Sequence, residues 1–373
     1  MTADHAGAIL TVDLNAIAEN FALLSGKAGN AVCAAVVKSD AYGLGLSPVG
    51  RRLAKEGCRD FFVAQLDEAI ALRQALAHMK DGAQNASIYV LNGLVRGAED
   101  DYAAHHAVPV LNSLEEVDAW SAYAARRNVS QPAILQLDTG MSRLGLPGAD
   151  TEILSSSPDR LAGIDLKYIM SHLACAGSRT HPMNDQQLEA FSASLASLPK
   201  APASLANSSG IFLGTRFHFQ MVRPGAAIYG LTPIANESNP LAHTIELSGK
   251  ILQTRVVDAD QAVGYGATHH VARQSRIATV AVGYGDGYFR TLSDRGCGYI
   301  GDYCVPVVGR VSMDLTTFDV TDVPEPLSQP GMSISLISEK NPVDQVASRA
   351  QTIGYEILTN LGRRYFRSYL GSA

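Results

Sequence analysis

The sequence predicts a parallel (β/α)₈ barrel of the TIM type, followed by a mostly β C-terminal domain. The chain has 373 residues, about two or three typical domain lengths, so two domains are the first expectation. From about residue 31 to residue 230, eight short apolar runs alternate with amphipathic stretches, as such a barrel requires. After residue 240 the strand-like runs are separated by Gly, Asp and Pro turns, with few helical periods. We therefore place the barrel in residues 1–240 and the second domain in residues 241–373, and leave open that residues 1–12 pair with the second domain.

The predicted strands are apolar and partly β-branched, as is typical of parallel strands buried on both faces. A doubly wound sheet of eight strands would show the same alternation, so pattern alone leaves it as a competitor. Ser47 and Pro48 predict an N-cap followed by proline at the first helical position, and Ser113 with Glu116 predicts a capping box. The predicted strand runs are residues 31–37, 61–65, 87–93, 108–112, 133–140, 166–173, 204–210 and 221–230, and further helices are predicted at 184–198 and near 343–362.

Composition and charge exclude several classes of protein. Hydrophobic residues make up 46% of the chain and the net charge is −6, without a dense Lys/Arg stripe, which argues against nucleic-acid binding. No apolar run approaches the ~18 residues of a membrane helix, and the N-terminus lacks the positive charge of a secretory signal. Five scattered cysteines without a CxxC pair indicate reduced thiols. These features predict a cytoplasmic enzyme with neither nucleic acid nor membrane as partner.

Polar residues follow several of the predicted strands, where a parallel barrel carries its functional side chains. Lys38 ends the run AVCAAVV, and a partly desolvated lysine there has a lowered pKa, which favours the neutral amine that forms Schiff bases. A solvated lysine at a strand end is an equally open interpretation. The other polar strand ends are Asp138–Thr139–Gly140 with Arg143, His172, Asn207–Ser208–Ser209, and Arg223 before Gly225.

Weaker signals accompany these strand ends. His172, Cys175 and His181 loosely resemble a metal site, but further ligands do not follow at the usual spacing, so we favour a core histidine and predict no metal. The segments NSSG and RPGAA offer hydroxyl and backbone N–H groups that can hold a phosphate, although such residues often only make turns. Two Gly-Tyr-Gly segments, in 263–270 and 282–290, each present a tyrosine, which acts as a base only when a cation lowers its pKa.

Taken together, the motifs resemble those of the bacterial alanine racemases along the whole chain. AVVKSDAYGLG resembles the segment that carries the lysine bound to pyridoxal 5'-phosphate (PLP) in that family. The resemblance implies a PLP-binding barrel with a C-terminal β domain, working as a homodimer with shared active sites that interconverts L-alanine and D-alanine. The other matching motifs are LDTGMSRLG (137–145), SHLACAG (171–177), ANSSG (206–210), MVRPGAAIYG (221–230), VGYGATH (263–269), VGYGDGYFR (282–290), VGRVSMD (308–314) and IGYEILTNLGRR (353–364).

The same resemblance implies a role for each matching residue. Lys38 would be the Schiff-base lysine and the base on the D-alanine side, and Tyr265 the opposite base, reaching in from the partner subunit. His172 would tune this tyrosine, and Arg223 would face the pyridine nitrogen of the cofactor. The remaining matches are the phosphate ligands Tyr42, Ser208, Gly225, Ala226 and Tyr355, the carboxylate contacts Arg143 and Met313 (through its backbone), and the gate residue Tyr284.

Physical reasoning agrees with these implied roles. Racemisation removes the α-proton on one face and returns it on the other, so two bases on opposite faces are sufficient if both pKa values move toward neutrality. Repulsion among Lys38, Arg143, Arg223 and His172 should lower the pKa of the nearby amine and phenol. A permanent cation at the ring nitrogen would keep that nitrogen unprotonated and so suppress side reactions.

Two positions depart from the family pattern. Many relatives carry a carbamylated lysine two residues before Asp-Thr-Gly, whereas this chain has Gln136, which cannot carry a carbamate, so the amide or a bound anion must hold Arg143. The acidic residue that many relatives place at the outer entrance is Gly177 here, which puts entrance pairing with Arg290 or Arg310 in doubt.

Three alternatives remain at this stage. A serine or broad-specificity racemase would carry the same motifs, and the sequence does not separate biosynthetic supply of D-alanine for peptidoglycan from D-alanine catabolism. A non-catalytic PLP-binding protein would share the barrel but lack the second domain with Tyr265 and Tyr284. A basic-amino-acid decarboxylase of similar fold would need different substrate motifs.

Overall fold

The computed structural model describes residues 3–80 and 82–372, so Met1 and Thr2 of the predicted N-terminal segment lie outside the described residues. The chain divides into two compact units. One consists of residues 3–16 together with His243–Ser372, and the other of Ile17–Ala242.

The strands of the two units, in chain order, are β1 (Ala8–Asp13), β2 (Val32–Cys33), β3 (Ala35–Val36), β4 (Asp60–Val63), β5 (Ser87–Val90), β6 (Ala107–Leu111), β7 (Gln131–Gln136), β8 (Ile164–Met170), β9 (Ala203–Asn207), β10 (Met221–Arg223), β11 (Ile245–Val257), β12 (Ala262–Val263), β13 (His269–His270), β14 (Ser275–Val280), β15 (Cys297–Ile300), β16 (Tyr303–Pro306), β17 (Thr316–Asp319), β18 (Ser333–Ile337) and β19 (Phe366–Leu370).

The helices are α1 (Leu14–Ala28), α2 (Lys38–Tyr42), α3 (Leu46–Lys55), α4 (Leu66–Leu76), α5 (Glu99–Ala104), α6 (Leu114–Arg127), α7 (Gly148–Ser156), α8 (Met183–Ser197), α9 (Ser208–Leu213), α10 (Val343–Ala350) and α11 (Gly354–Thr359). Short 3₁₀ helices at Ala226–Tyr229, Tyr265–Ala267, Tyr284–Asp286 and Arg290–Leu292 carry functional candidates or neighbour them. Among the residues that the structure describes, no helix is long and apolar enough to cross a membrane.

The sheet of the larger unit is a nearly closed parallel barrel, which confirms the predicted fold and excludes the doubly wound alternative. Its order is β2-β10-β9-β8-β7-β6-β5-β4-β3. The first predicted run, 31–37, supplies both ends of this order, because it is divided at Ala34 into β2, which pairs with β10, and β3, which pairs with β4. The eight predicted runs thus form nine strands, and their carboxyl ends meet at one rim.

The smaller unit is mostly β, as predicted. The N-terminal strand β1 lies inside its sheet, antiparallel to β11 and parallel to β19. The long strand β11 also pairs with β14 and β18. A separate two-stranded hairpin joins β12 to β13 and carries Tyr265 in its turn.

The predicted N-cap at Ser47 is wrong. The helix α3 begins at Leu46, after Gly45, so Ser47 and Pro48 lie within its first turn. The Leu46 N–H donates to Asp40 Oδ1 at 2.6 Å, so a carboxylate from an earlier turn satisfies this helix end. A cap supplied from six residues away leaves no local signal in the sequence.

The capping box predicted at α6 is only half formed. Ser113 is the N-cap and its Oγ accepts the Glu116 N–H at 3.3 Å. The Glu116 carboxylate instead accepts the N–H of Asn112 at 2.8 Å, so it caps the chain one residue earlier than expected.

Several predicted runs extend beyond the strands that they form, among them 87–93 and 133–140, and three predicted elements change structure within their limits. The run 204–210 is a strand only to Asn207, because Ser208 begins α9, and the run 221–230 is a strand only to Arg223. The single helix predicted near 343–362 is two helices, α10 and α11, separated at Gln351, whose φ of 60° is left-handed.

Candidate active site

Lys38 lies at the rim of the barrel, directly after β3. The next four residues, Ser39 to Tyr42, have φ values between 53° and 56°, which makes one turn of left-handed helix. Such a turn costs roughly 1–2 kcal/mol per non-glycine residue, so the surrounding structure must hold it. Glu68 does so in part, since its Oε1 accepts the Ser39 N–H at 2.6 Å and its Oε2 accepts the Ala64 N–H at 2.8 Å.

The Lys38 amine has the property that Schiff-base formation requires. Burial lowers its pKa from the ordinary value of lysine, and the Arg143 guanidinium lowers it further. The Glu68 carboxylate acts in the opposite direction and is the weaker influence. A larger fraction of neutral, nucleophilic amine is therefore present near neutral pH.

Arg223 lies inside the barrel, only 4% exposed, at the end of β10. Its Nη1 donates to the Ser204 hydroxyl, and its Nη2 donates to the Ser171 carbonyl at 2.6 Å. These partners are neutral, so the guanidinium charge remains uncompensated by them, and burial lowers the pKa of Arg223 to about 10.

His172 lies beside Arg223, with its Nδ1 3.5 Å from Nη2 of the guanidinium. Burial lowers the pKa of His172 to about 3, and the charges of Arg223, Arg143 and Lys38 act in the same direction. The imidazole is therefore neutral at physiological pH. Because Arg223 can only donate, His172 Nδ1 can only accept in this contact, so the proton of the neutral ring lies on Nε2.

Small residues and one hydroxyl form a cradle beside Lys38. The Ser208 Oγ accepts the N–H groups of Gly225 at 2.9 Å and Ala227 at 3.1 Å. A side chain on Gly225 would meet the Tyr42 hydroxyl at 2.4 Å, so only glycine lets this hydroxyl approach the backbone. The Tyr42 ring packs on Tyr229 with a centroid distance of 4.6 Å, and Ala226 begins the 3₁₀ helix that follows.

The loop that carries Arg143 is closed by hydrogen bonds from β7 and the residues after it. Gln136 Nε2 donates to the Leu144 carbonyl at 3.1 Å. Asp138 Oδ1 accepts the N–H groups of Gly140 at 2.9 Å and Ser142 at 3.0 Å. The neutral amide of Gln136 therefore acts on the loop backbone next to Arg143.

The other predicted site residues lie in the smaller unit and are all partly exposed. Tyr265 is the most exposed of them, at 71%. Tyr284 and Met313 lie on two adjacent turns, because the N–H groups of Tyr284 and Gly285 donate to the carbonyls of Ser312 at 2.9 Å and Met313 at 2.8 Å. Tyr355 is the second residue of α11.

The structure thus brings together the predicted barrel residues: Lys38, Arg143 and Arg223 form one cationic cluster around the neutral imidazole of His172, and Tyr42, Ser208, Gly225 and Ala226 form the adjoining cradle. Gly177 has no atom within 4 Å of the position of a Cβ, and its carbonyl accepts the Ala235 N–H at 2.9 Å. Tyr265, Tyr284, Met313, Tyr355, Arg290 and Arg310 belong to the other unit.

Sequence reasoning missed Glu68, Ser171 and Ser204, which hold the predicted residues in place. Ser204 is a fully buried polar residue within the apolar strand β9, and a buried hydroxyl requires a hydrogen-bond partner. That requirement is a usable signal, but the identity of the partner, Arg223, depends on strand order. Glu68 gives only the signal of a capping residue in α4.

The residues present fit PLP. Its aldehyde requires a neutral amine, its phosphate requires a donor-rich cradle without steric obstruction, and its phenolate oxygen is complemented by nearby cations. Lys38, the cradle around Gly225, and the cationic cluster supply these three features. A barrel with such a rim lysine and cradle defines an enzyme that binds a phosphate-bearing carbonyl cofactor.

The chain belongs to the alanine racemase family. Residues 12–233 match the alanine racemase N-terminal domain and residues 244–369 match the alanine racemase C-terminal domain. The chain is 47% identical to the alanine racemase of Rhodospirillum rubrum over 369 aligned residues, covering 99% of this chain and 97% of that protein. It is 45% identical to the alanine racemase of Brucella abortus over 378 aligned residues, covering 98% and 94%. The crystal structure of alanine racemase from Bartonella henselae with covalently bound pyridoxal phosphate superposes with a TM-score of 0.93 at 40% identity, covering 98% of this chain and 100% of that chain.

Proposed function

We propose that this chain is a PLP-dependent racemase that interconverts L-alanine and D-alanine with two bases, Lys38 and Tyr265. The observation that carries the proposal is the Lys38 amine, whose pKa is lowered by burial and by Arg143, at the rim of a barrel of this family. When bound, PLP supplies a conjugated ring that takes up the electron pair left on the α-carbon.

The phosphate of the cofactor would bind at Ser208, Gly225, Ala226 and the Tyr42 hydroxyl, with Tyr355 as a further ligand. Arg223 would face the pyridine nitrogen. Because a guanidinium has donors and no acceptor, it cannot hold a proton on that nitrogen, and the nitrogen stays unprotonated. This arrangement limits charge build-up on the ring and favours simple return of the α-proton over other reactions.

Proton transfer would occur on two faces of the substrate. Lys38 serves the D-alanine side and Tyr265, from the partner subunit, serves the L-alanine side. His172, neutral and linked to Arg223 through Nδ1, would donate its Nε2–H to the oxygen of the Tyr265 phenol and so tune the pKa of that phenol. Arg143 and the backbone of Met313 would hold the substrate carboxylate, and Tyr284 would gate its entry.

The domain roles follow from these assignments. Residues 1–240 would form the PLP-binding barrel, apart from the N-terminal segment that pairs with the β domain, and residues 241–373 would supply Tyr265, Tyr284, Met313 and Tyr355 as half of a homodimer. The five free cysteines support a cytoplasmic location, since thiols stay reduced there. The D-alanine produced would serve peptidoglycan synthesis, with D-alanine catabolism as the alternative role.

The proposal is tested by racemisation assays with L-alanine, L-serine and L-arginine, with and without added PLP. We expect PLP-dependent turnover that is fastest with alanine, and borohydride reduction followed by peptide mapping should place the cofactor on Lys38. Lys27, which lies in the same unit but packs on the Phe212 ring, is the internal control for labelling. PLP binding without turnover of any amino acid would instead indicate a non-catalytic PLP-binding protein, and faster turnover of serine or arginine would indicate broader specificity.

A further inference from the structure

The turn that carries Tyr265 lies outside the apolar core, whereas Val263 in β12 and Val271 directly after β13 belong to a buried apolar cluster. The strands β12 and β13 have two residues each, and none of the three residues in the 3₁₀ turn Tyr265–Ala267 is buried. Apolar burial therefore fixes the hairpin at Val263 and Val271 but does not fix the turn with the tyrosine. The position of the phenol must depend on the groups that fix the two strands of the hairpin.

One carboxylate oxygen holds both sides of this hairpin. Asp294 Oδ1 lies 2.9 Å from Nδ1 of His269, which is in β13, and it accepts the Gly309 N–H at 2.6 Å. Gly309 in turn lies against β12, because a side chain on Gly309 would come within 2.5 Å of the Val263 carbonyl oxygen. A carboxylate only accepts hydrogen bonds, so His269 donates from Nδ1 whether or not its ring is charged.

The backbone at Asp294 is itself in an unfavourable conformation. Its φ of 55° lies in the left-handed region, which aspartate tolerates better than most residues but which still requires support. The preceding residue, Ser293, gives a second link to the same segment, since its Oγ accepts the Val311 N–H at 3.0 Å. Arg310 lies between the two residues that these bonds hold, Gly309 and Val311. Its Nη1 is 3.2 Å from the position that a Cβ would occupy on Gly266, next to Tyr265.

We propose that Asp294 is a positioning residue for racemisation: through His269 and Gly309 it fixes the hairpin that carries Tyr265. The inference rests on the proposed function, because that function gives Tyr265 its role as the base on the L-alanine side. Asp294 acts through its two hydrogen-bond partners and not on the substrate. Its removal should therefore impair the face that Tyr265 serves and spare the face that Lys38 serves.

The decisive test uses the holoenzyme of Asp294→Ala in deuterated water. We expect the racemisation kcat to fall by about 10- to 100-fold, the loss that a misplacement of about 1 Å can cause. Exchange of the α-hydrogen of L-alanine should fall equally, whereas exchange of the α-hydrogen of D-alanine, which Lys38 can remove and return alone, should persist. Tyr265→Phe is the reference for this asymmetry.

A second readout does not depend on activity. Backbone amide exchange followed by mass spectrometry should be faster in Asp294→Ala across residues 262–270 and at Gly309, which loses its acceptor, with the rest of the unit unchanged. Asp294→Asn keeps an acceptor oxygen for both partners and should restore both readouts. The matched control is Asp322→Ala, which removes an exposed ion pair with Arg273 in the same unit without touching the hairpin.

Equal loss of both α-hydrogen exchanges in Asp294→Ala, or no loss of either, would overturn the proposal when Tyr265→Phe itself shows the asymmetry. If Tyr265→Phe shows no asymmetry, or the wild-type protein does not racemise alanine, the proposed function fails instead. If Asp294→Ala does not fold, His269→Phe decides, since it removes only the link to β13 and leaves the Gly309 bond in place.

Discussion

At the scale of single residues, the barrel rim gathers cations that the Glu68 carboxylate offsets only in part. The charges of Lys38, Arg143 and Arg223 all lower the pKa of His172. Arg143 also lowers the pKa of Lys38. The hydrogen-bond partners of Arg223 are a hydroxyl, two backbone carbonyls and the neutral imidazole of His172, none of which carries a charge. An anionic cofactor supplies the missing negative charge, so the site without it is electrostatically unfavourable and should bind phosphate-bearing ligands tightly.

The buried imidazole of His172 makes stability depend on pH. Its folded-state pKa of about 3 lies below the ordinary value of 6.5, so protons bind preferentially to the unfolded state, and stability is lost as the pH falls through this window. Between pH 7 and pH 5 we expect the free energy of unfolding to fall by about 2 kcal/mol from this group. In urea unfolding experiments His172→Gln should lose that part of the pH dependence, whereas the exposed His181→Gln should keep it.

Gln136 should act on substrate binding through the Arg143 loop. Gln136→Met removes the hydrogen bond to the Leu144 carbonyl and should lower the free energy of unfolding by about 1 kcal/mol. The proposed function gives Arg143 the role of binding the alanine carboxylate, and a looser loop would then weaken that contact in ground and transition states alike, so we expect KM to rise several-fold with kcat nearly unchanged.

Gln131→Met is the matched control for this effect. Gln131 lies at the other end of β7 and makes the same kind of bond, from Nε2 to the Val129 carbonyl at 3.3 Å. The Gln131→Met variant should lower the free energy of unfolding by a similar amount and leave KM at the wild-type value. An equal rise of KM in both variants would assign the effect to strand β7 as a whole and contradict the role of Gln136.

At the scale of elements, the left-handed turn after Lys38 is the most unusual feature. Ser39→Gly should raise the free energy of unfolding by up to about 1 kcal/mol, because glycine adopts φ of 54° without a steric penalty. The same substitution in a regular helix, Ser192→Gly in α8, should lower it by about 0.5–1 kcal/mol. Chemical denaturation of both variants measures the two changes in the free energy of unfolding, which should have opposite signs. A destabilised Ser39→Gly variant would show that the serine side chain, and not the backbone conformation, determines stability at this position.

The elements also show which features a sequence can predict. The eight strand runs were predictable because strands buried on both faces are continuously apolar, and β6 is buried at all five positions. Because parallel strands in a barrel have their carboxyl ends at one rim, the residues that end these strands, Lys38, His172 and Arg223, could be placed together from the sequence. The left-handed turn was not predictable, since Ser-Asp-Ala-Tyr contains no glycine, and neither was the cap that Asp40 provides to α3, since both depend on tertiary contacts.

At the scale of the whole molecule, the predicted site residues are divided between two units. Lys38, the cradle around Gly225 and the cationic cluster belong to Ile17–Ala242, while Tyr265, Tyr284 and Met313 belong to the unit that contains His243–Ser372. The N-terminal strand β1 comes before Ile17–Ala242 in the sequence but belongs to the other unit, because it pairs with β11 and β19. Its assignment required knowledge of long-range pairing, which hydrophobic pattern alone does not carry.

Each active site should take Lys38 from one subunit and Tyr265 from its partner. Lys38→Ala and Tyr265→Phe should each be nearly inactive, since each removes one of the two bases. When the two variants are mixed and allowed to exchange subunits, random pairing makes roughly half of the dimers mixed, and each mixed dimer has one intact site, so activity should recover to about a quarter of wild type. Lys38→Ala mixed with Arg143→Ala is the control, because two defects in the same unit leave every site damaged. Subunit exchange verified by mass spectrometry, with no recovery of activity, would place both bases in one chain, because every site would then still lack one of them.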